Sequence, residues 1–199
     1  MSTDARGRAV SAQTGPHPTV LQLRYARREF RRGFRNLSEE DALARPGGLN
    51  AIGWSVGHLA WQEQKYFLTW GQGVTPYPAI DKTFRTGAPG TTPELSEVFA
   101  AWTDITARSD PWLDSLSGER LLGPYDRGGE RSGGRLIGNL ILRVTYHYWF
   151  HAGMNQAVRK VLGHQPLPQF VGNIDDEAPY LPETDVRGEG ERLGRAEVL

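Results

Sequence analysis

Residues 136–163, LIGNLILRVTYHYWFHAGMNQAVRKVLG, form the longest periodic run in the chain. Leu136, Leu140, Val144, His147, His151, Met154, Val158 and Leu162 recur in steps of three and four, the spacing that sets side chains along one seam of an α-helix, and Gly163 follows as a C-terminal stop. Two of those seam positions are histidine. The run therefore predicts a bundle helix whose buried face carries two imidazoles.

Upstream the same periodicity recurs. Val20, Leu23, Phe30, Phe34 and Leu37 make the stripe of a first helix, interrupted by Arg27, and Ser38-Glu39-Glu40-Asp41 opens a short connector stopped by Pro46-Gly47-Gly48. Asn50 is expected to cap a second helix that runs to Trp70 on the stripe Ile52, Val56, Leu59, Glu63, Tyr66 and Trp70, then stops at Gly71 and Gly73. Residues 74–90 read as a long crossover loop, and Thr91-Thr92-Pro93-Glu94 as the cap of a third helix. Its stripe is Leu95, Val98 or Phe99, Trp102, Ile105, Ser109, Trp112 or Leu113, and Leu116, with Pro111 in the last turns. Residues 118–134 are a Gly-rich loop, and no stretch has a convincing strand pattern. The expectation is an all-α four-helix bundle over residues 19–165, with a long crossover between helices two and three. A mobile segment, 1–18, precedes it, and an irregular tail, 166–199, drapes over it near Phe170 and Tyr180.

The chain has 199 residues, with 23 Lys plus Arg balanced by 23 Asp plus Glu, so no net field draws it to nucleic acid or to an anionic membrane. No apolar run is long enough to cross a bilayer, and the N-terminus lacks the apolar core of a secretion signal, which makes the expected location cytoplasmic. There is no cysteine, which excludes disulfides, thiolate ligands and a cysteine nucleophile; thiol chemistry would need a thiol cosubstrate. Six Trp, seven Tyr and seven Phe indicate a core built largely from rings. The expected partners are a small-molecule substrate and, for assembly, a second copy of the chain as a homodimer.

His147 and His151 stand at i and i+4, about 6 Å apart at their β-carbons, so both rings can reach one ion. An isolated pair of this kind is better explained by packing, each ring bonded to a carbonyl or carboxylate. His58 changes the balance: it lies mid-way along helix two, between Trp54 and Gln62 on its face, and can approach helix four across the interior. The other two histidines, His17 and His164, fall outside the expected helices. Three inward-facing histidines exceed what packing requires, and a divalent-metal site at His58, His147 and His151 is the expectation. Three nitrogen donors leave open positions on an ion, as catalytic sites do, and suit Zn best, with Ni and Fe as alternatives.

Gly57-His58-Leu59-Ala60-Trp61-Gln62-Glu63, followed by His147-Tyr148-Trp149-Phe150-His151-Ala152-Gly153, resembles the paired signature of the DinB-like superfamily in order, helix placement and spacing. The resemblance implies a four-helix bundle with a metal held by one histidine of helix two and two of helix four, which fall on His58, His147 and His151. It also implies a choice of activities: mycothiol- or bacillithiol-dependent S-transfer, mycothiol-dependent isomerisation, or hydrolysis on a small electrophile. The alternative is a non-catalytic metal-binding stress-response or small-molecule-binding protein.

Glu63, in the core stripe one turn beyond His58, is the expected catalytic carboxylate, either accepting a ring N–H of a ligand histidine or acting as a base. The competing expectation is a structural bond to a cation such as Arg143. Trp54, Trp61, Tyr146, Tyr148 and Trp149 flank the histidines and are candidates for a pocket wall, and Asn155 for its mouth. The arginines of helix one (Arg24, Arg27, Arg28, Arg31, Arg32 and Arg35) read as a solvated face balanced by Glu29, Glu39 and Glu40.

Overall fold

The computed structural model describes residues 15–126 and 131–181. Four long helices make the bundle: α1 (Pro18–Arg32), α3 (Ile52–Glu63, continued by a π-helical stretch Gln64–Trp70), α5 (Leu95–Asp114) and α7 (Ile137–Val161). Short helices α2 (Glu39–Leu43), α4 (Pro78–Phe84), α6 (Gly118–Leu121) and α8 (Ile174–Glu177) decorate the connections. α3 packs most extensively on α5 and α1 on α7, with α3 and α7 touching across the middle. Among the described residues no helix is long and apolar enough to cross a membrane.

The stripes of α1, α3 and α5 lie in the core as their spacing requires. Val20, Leu23, Phe30, Ile52, Val56, Leu59, Ile105 and Leu113 are all buried, and the two ambiguities in α5 resolve in favour of Val98 and Leu113, with Phe99 and Trp112 half-buried against them. α1 is shorter than its stripe: it ends at Arg32, and Asn36 takes a left-handed φ of 58°, so Phe34 reaches the core from a turn. The buried face of α7 is wider than the expected seam, of which Leu140, Val144, His151 and Val158 are buried. Ile137, Ile141, Tyr148 and Ala152 face the core, which leaves His147 at its margin.

Several connections differ from the expectation. Asn50 does not cap α3; Ala51 holds that position without a side-chain bond. Glu94 at the start of α5 is likewise no cap, and the carboxylate of Glu39, from α2, accepts the amide N–H groups of Leu95 and Ser96 at 2.8 and 3.0 Å. The crossover 74–90 is not all loop. Pro78 starts α4, and Ile80 and Phe84, four apart, bury against α3. Within 118–134 the chain forms α6 and an antiparallel pair of short strands, β1 (Pro124–Asp126) and β2 (Arg131–Leu136), where no strand was expected.

Of the N-terminal segment, residues 1–14 lie outside the described residues; His17 is buried and its Nδ1 accepts the Thr19 amide N–H at 3.2 Å, capping α1. The tail is described as far as residue 181. Phe170 packs on Trp149, and the Val171 carbonyl accepts the Tyr25 hydroxyl, so the tail does cover the bundle there, whereas Tyr180 is 91% exposed and does not.

Candidate metal centre

One charged network joins all four bundle helices immediately beside the histidines. Arg27 of α1 donates from Nε (2.7 Å) and Nη2 to the two carboxylate oxygens of Glu63 on α3, and from Nη1 to Asp110 of α5 at 2.7 Å. Tyr148 of α7 donates its hydroxyl to Glu63 Oε1 at 2.6 Å and accepts the indole N–H of Trp102 on α5 at 2.6 Å. Burial alone would lower the Arg27 pKa, but the Glu63 carboxylate more than offsets it and keeps the guanidinium charged; burial, then Glu63, raise the Tyr148 pKa well above its ordinary value. The two charges that interrupt the stripes of helices one and two are thus each other's partners. Glu63 is not brought to the histidines, nor does it pair with Arg143: its oxygens are filled by Arg27 and Tyr148.

The residues one step along each helix build the site. Gln62, next to Glu63, faces His147, next to Tyr148; Gln62 Oε1 can only accept, so His147 Nδ1 carries the proton of the 2.9 Å bond between them. The Phe84 carbonyl likewise accepts from His58 Nδ1 at 2.6 Å. Both bonds fix the tautomer and leave Nε2 of each ring bare. Gly57 makes the second one possible: a β-carbon there would lie 2.6 to 2.7 Å from three atoms of the Phe84 ring. His58 is further held by stacking on Trp54 (centroids 4.7 Å apart, 12° between planes) and Trp61 (5.3 Å, 27°).

His58, His147 and His151 each offer a nitrogen, and these atoms lie within 4.8 Å of one another. His147 Nε2 and His151 Nε2 face each other at 3.0 Å. Two bare lone pairs at that separation repel, so either a shared proton or a cation must lie between them. Nitrogens bound to one ion at about 2.0–2.1 Å stand on the order of 3 to 3.5 Å apart. The observed 3.0 Å fits an ion and equally an N–H···N bond between the rings, and His151 Nδ1, buried without a partner among the described residues, is unsatisfied in both cases; it is the third ring nitrogen, from His58, within 4.8 Å of the other two that completes a donor set. The donor set and its outer bonds therefore fit a divalent metal.

All three rings are held neutral, the form that ligates. Burial lowers the pKa of His58 against the opposing bond to the Phe84 carbonyl. Burial, then the neighbouring His58 and Arg143, lowers His147 to about 4; burial, then His147 and His58, lowers His151 to about 2. His147 opens onto a cleft of about 740 Å³ lined by Trp61, Gln62, Tyr66, Arg143, Tyr146 and Phe150, among others.

A family model described as the DinB superfamily matches residues 22–154. The chain belongs to the DinB superfamily. A search of curated proteins returned no match. The DinB match spans α1 through most of α7 and so contains all three histidines together with Gln62 and Phe84. Of the rings expected at a pocket wall, Trp61 and Tyr146 line the cleft, Trp54 backs His58, Tyr148 is in the core and Trp149 packs on Tyr25 and Phe170. Asn155 lines a separate small cavity with Phe30 and Phe170 rather than the mouth of the site. Gln62 was the residue missed, although it stands four positions after His58 on the same helical face.

Proposed function

We propose that this DinB-superfamily protein is a metal-dependent enzyme that activates a low-molecular-weight thiol or water for transfer, isomerisation or hydrolysis on a small electrophilic substrate. The observation that carries the reading is the convergence of three neutral imidazoles, two with their outer nitrogens already bonded, at the edge of an open cleft. His58, His147 and His151 would hold the ion, with Zn first and Ni or Fe as alternatives. When bound, a divalent ion draws the pKa of a thiol or water toward neutrality and so supplies the nucleophile that a chain without cysteine lacks. Gln62 and the Phe84 carbonyl orient the rings, Trp54 and Trp61 clamp His58, and the cleft admits the substrate beside His147.

The second reading, a metal-binding protein that turns nothing over, is favoured by one observation: the Glu63 carboxylate is occupied by Arg27 and Tyr148 and is not free to act as a base. The two part on one assay. The metal-loaded protein is incubated with an electrophile such as a bromobimane and a panel of thiols including mycothiol and bacillithiol. Thiol-dependent consumption that is lost on chelation supports the enzyme; tight metal binding with no turnover on any thiol or on water supports the binding protein.

A further inference from the structure

The cleft beside His147 has a composition that points to its occupant. Its volume, about 740 Å³, lies in the range of about 300–1,000 Å³ typical of small-molecule sites. Four rings line it, Trp61, Tyr66, Tyr146 and Phe150, and Tyr146 and Phe150 are 66% and 60% exposed. Large rings left open side by side mark a surface meant to be covered.

The lining contains one charged side chain, Arg143, and no carboxylate. Arg143 has no ion-pair or hydrogen-bond partner among the described residues, unlike Arg24, Arg27 and Arg32 of α1. It stands one turn before His147, on the same face of α7. Asp81 and Lys65 both touch Trp61, at 2.7 Å from its indole nitrogen and 4.8 Å from its ring centroid, and their charges offset. Since the whole chain is neutral, the local excess of one positive charge over apolar rings belongs to the cleft and not to a general basic field.

We propose that the cleft takes a planar aromatic compound bearing one anionic group, its ring against Tyr146, Phe150 and Trp61 and its anion on the Arg143 guanidinium, which presents the reacting part to the histidines. This rests on the reading of the histidine cluster as the reaction centre. A guanidinium suits a carboxylate or sulfonate because its paired N–H groups match the two oxygens, and a single turn of helix separates that anchor from the ring of His147.

The test is calorimetric titration of the full chain, metal-free and zinc-loaded, with 2-naphthoate, the neutral 2-naphthalenemethanol and the cationic 2-naphthylmethylamine. Naphthoate should bind about tenfold more tightly than the alcohol in the metal-free protein, and the amine most weakly. Arg143→Met should erase the preference for the anion without weakening the alcohol, Arg143→Lys should keep part of it, and Tyr146→Ser should weaken all three. Equal binding of naphthoate and alcohol, or a preference that survives Arg143→Met, overturns the proposal. A preference seen only with zinc and unaffected by Arg143→Met also overturns it, while leaving the metal reading intact. An Arg143-dependent preference in a protein that binds no metal upholds the ligand class and removes the reaction centre instead.

Discussion

Glu63 receives both Nε–H and Nη2–H of Arg27 in a pair that is shut off from solvent, 0% exposed on the carboxylate side. The same carboxylate accepts the Tyr148 hydroxyl, and the adjacent residues, Gln62 and His147, bond to each other in the same register. The ion pair ties α1 to α3, and the Tyr148–Glu63 and His147–Gln62 bonds tie α3 to α7 in the register that places His58 opposite His147 and His151, with ring centroids 5.0 and 5.3 Å away. Glu63 touches none of the rings of the site; its three bonds go to Arg27 and Tyr148.

Glu63→Gln leaves the Arg27 charge buried without its full counter-charge. Stability should fall by roughly 3–5 kcal/mol, and by the same amount in metal-free and metal-loaded protein. Denaturant titrations of both forms check this. A loss confined to the loaded form would return Glu63 to the metal site.

Gln62→Leu removes the acceptor that holds His147 Nδ1–H while keeping a side chain of similar bulk. Metal affinity should drop about 10–100-fold with only a small change in melting temperature. Gln62→Glu, which keeps an acceptor, should retain or strengthen binding, as competition with a chromophoric chelator would report.

Gly57→Ala drives a methyl into the Phe84 ring, whose carbonyl anchors His58. Overpacking of this kind costs about 1–3 kcal/mol, and the shift of α4 should weaken metal binding as well. Gly153→Ala is the control from the same signature: nothing lies within 4 Å of the added carbon, so metal binding should not move and stability should rise by about 0.5–1 kcal/mol, the gain of Ala over Gly inside a helix.

The pH dependence follows from the sign of the histidine shifts. All three folded-state pKa values lie below the unfolded reference of about 6.5, so below that pH the unfolded chain binds protons that the folded cluster refuses. Stability of the metal-free protein should therefore be full above about pH 6.5 and decline as pH falls toward the folded value of about 4 for His147. Proton competition with metal in the folded state is displaced the same way, to lower pH than free histidine would give. Denaturation midpoints at pH 7 and pH 5 test the first point. A higher midpoint at pH 5 would contradict it.

Much of this was legible in the residues. The period of 136–163 identifies α7, and the histidine spacing identifies the cluster, because i,i+4 geometry is local. Arg27 and Glu63 were each visible as a charge in an apolar stripe, yet their pairing was not, since it depends on how α1 and α3 are juxtaposed. The inward face of α7 was read too narrowly, because Val144 with His151 and Ile141 with Tyr148 both satisfy the apolar period and all four are buried. α4 and the β1–β2 hairpin were hidden by Pro and Gly: two apolar residues, Ile80 and Phe84, are too few to announce a helix before one sees α3 beneath them. The Phe84 carbonyl could not be found from sequence at all, because a backbone acceptor has no residue signature.

The most direct test of the central claim is elemental analysis of the purified chain and of its His58→Ala, His147→Ala and His151→Ala variants. Each is equilibrated with Zn, Ni or Fe(II), dialysed equally and confirmed as folded by circular dichroism. The account predicts one divalent ion per parent chain and none retained by any folded variant. A parent that stays metal-free, or a folded His151→Ala that binds as tightly as the parent, would contradict it.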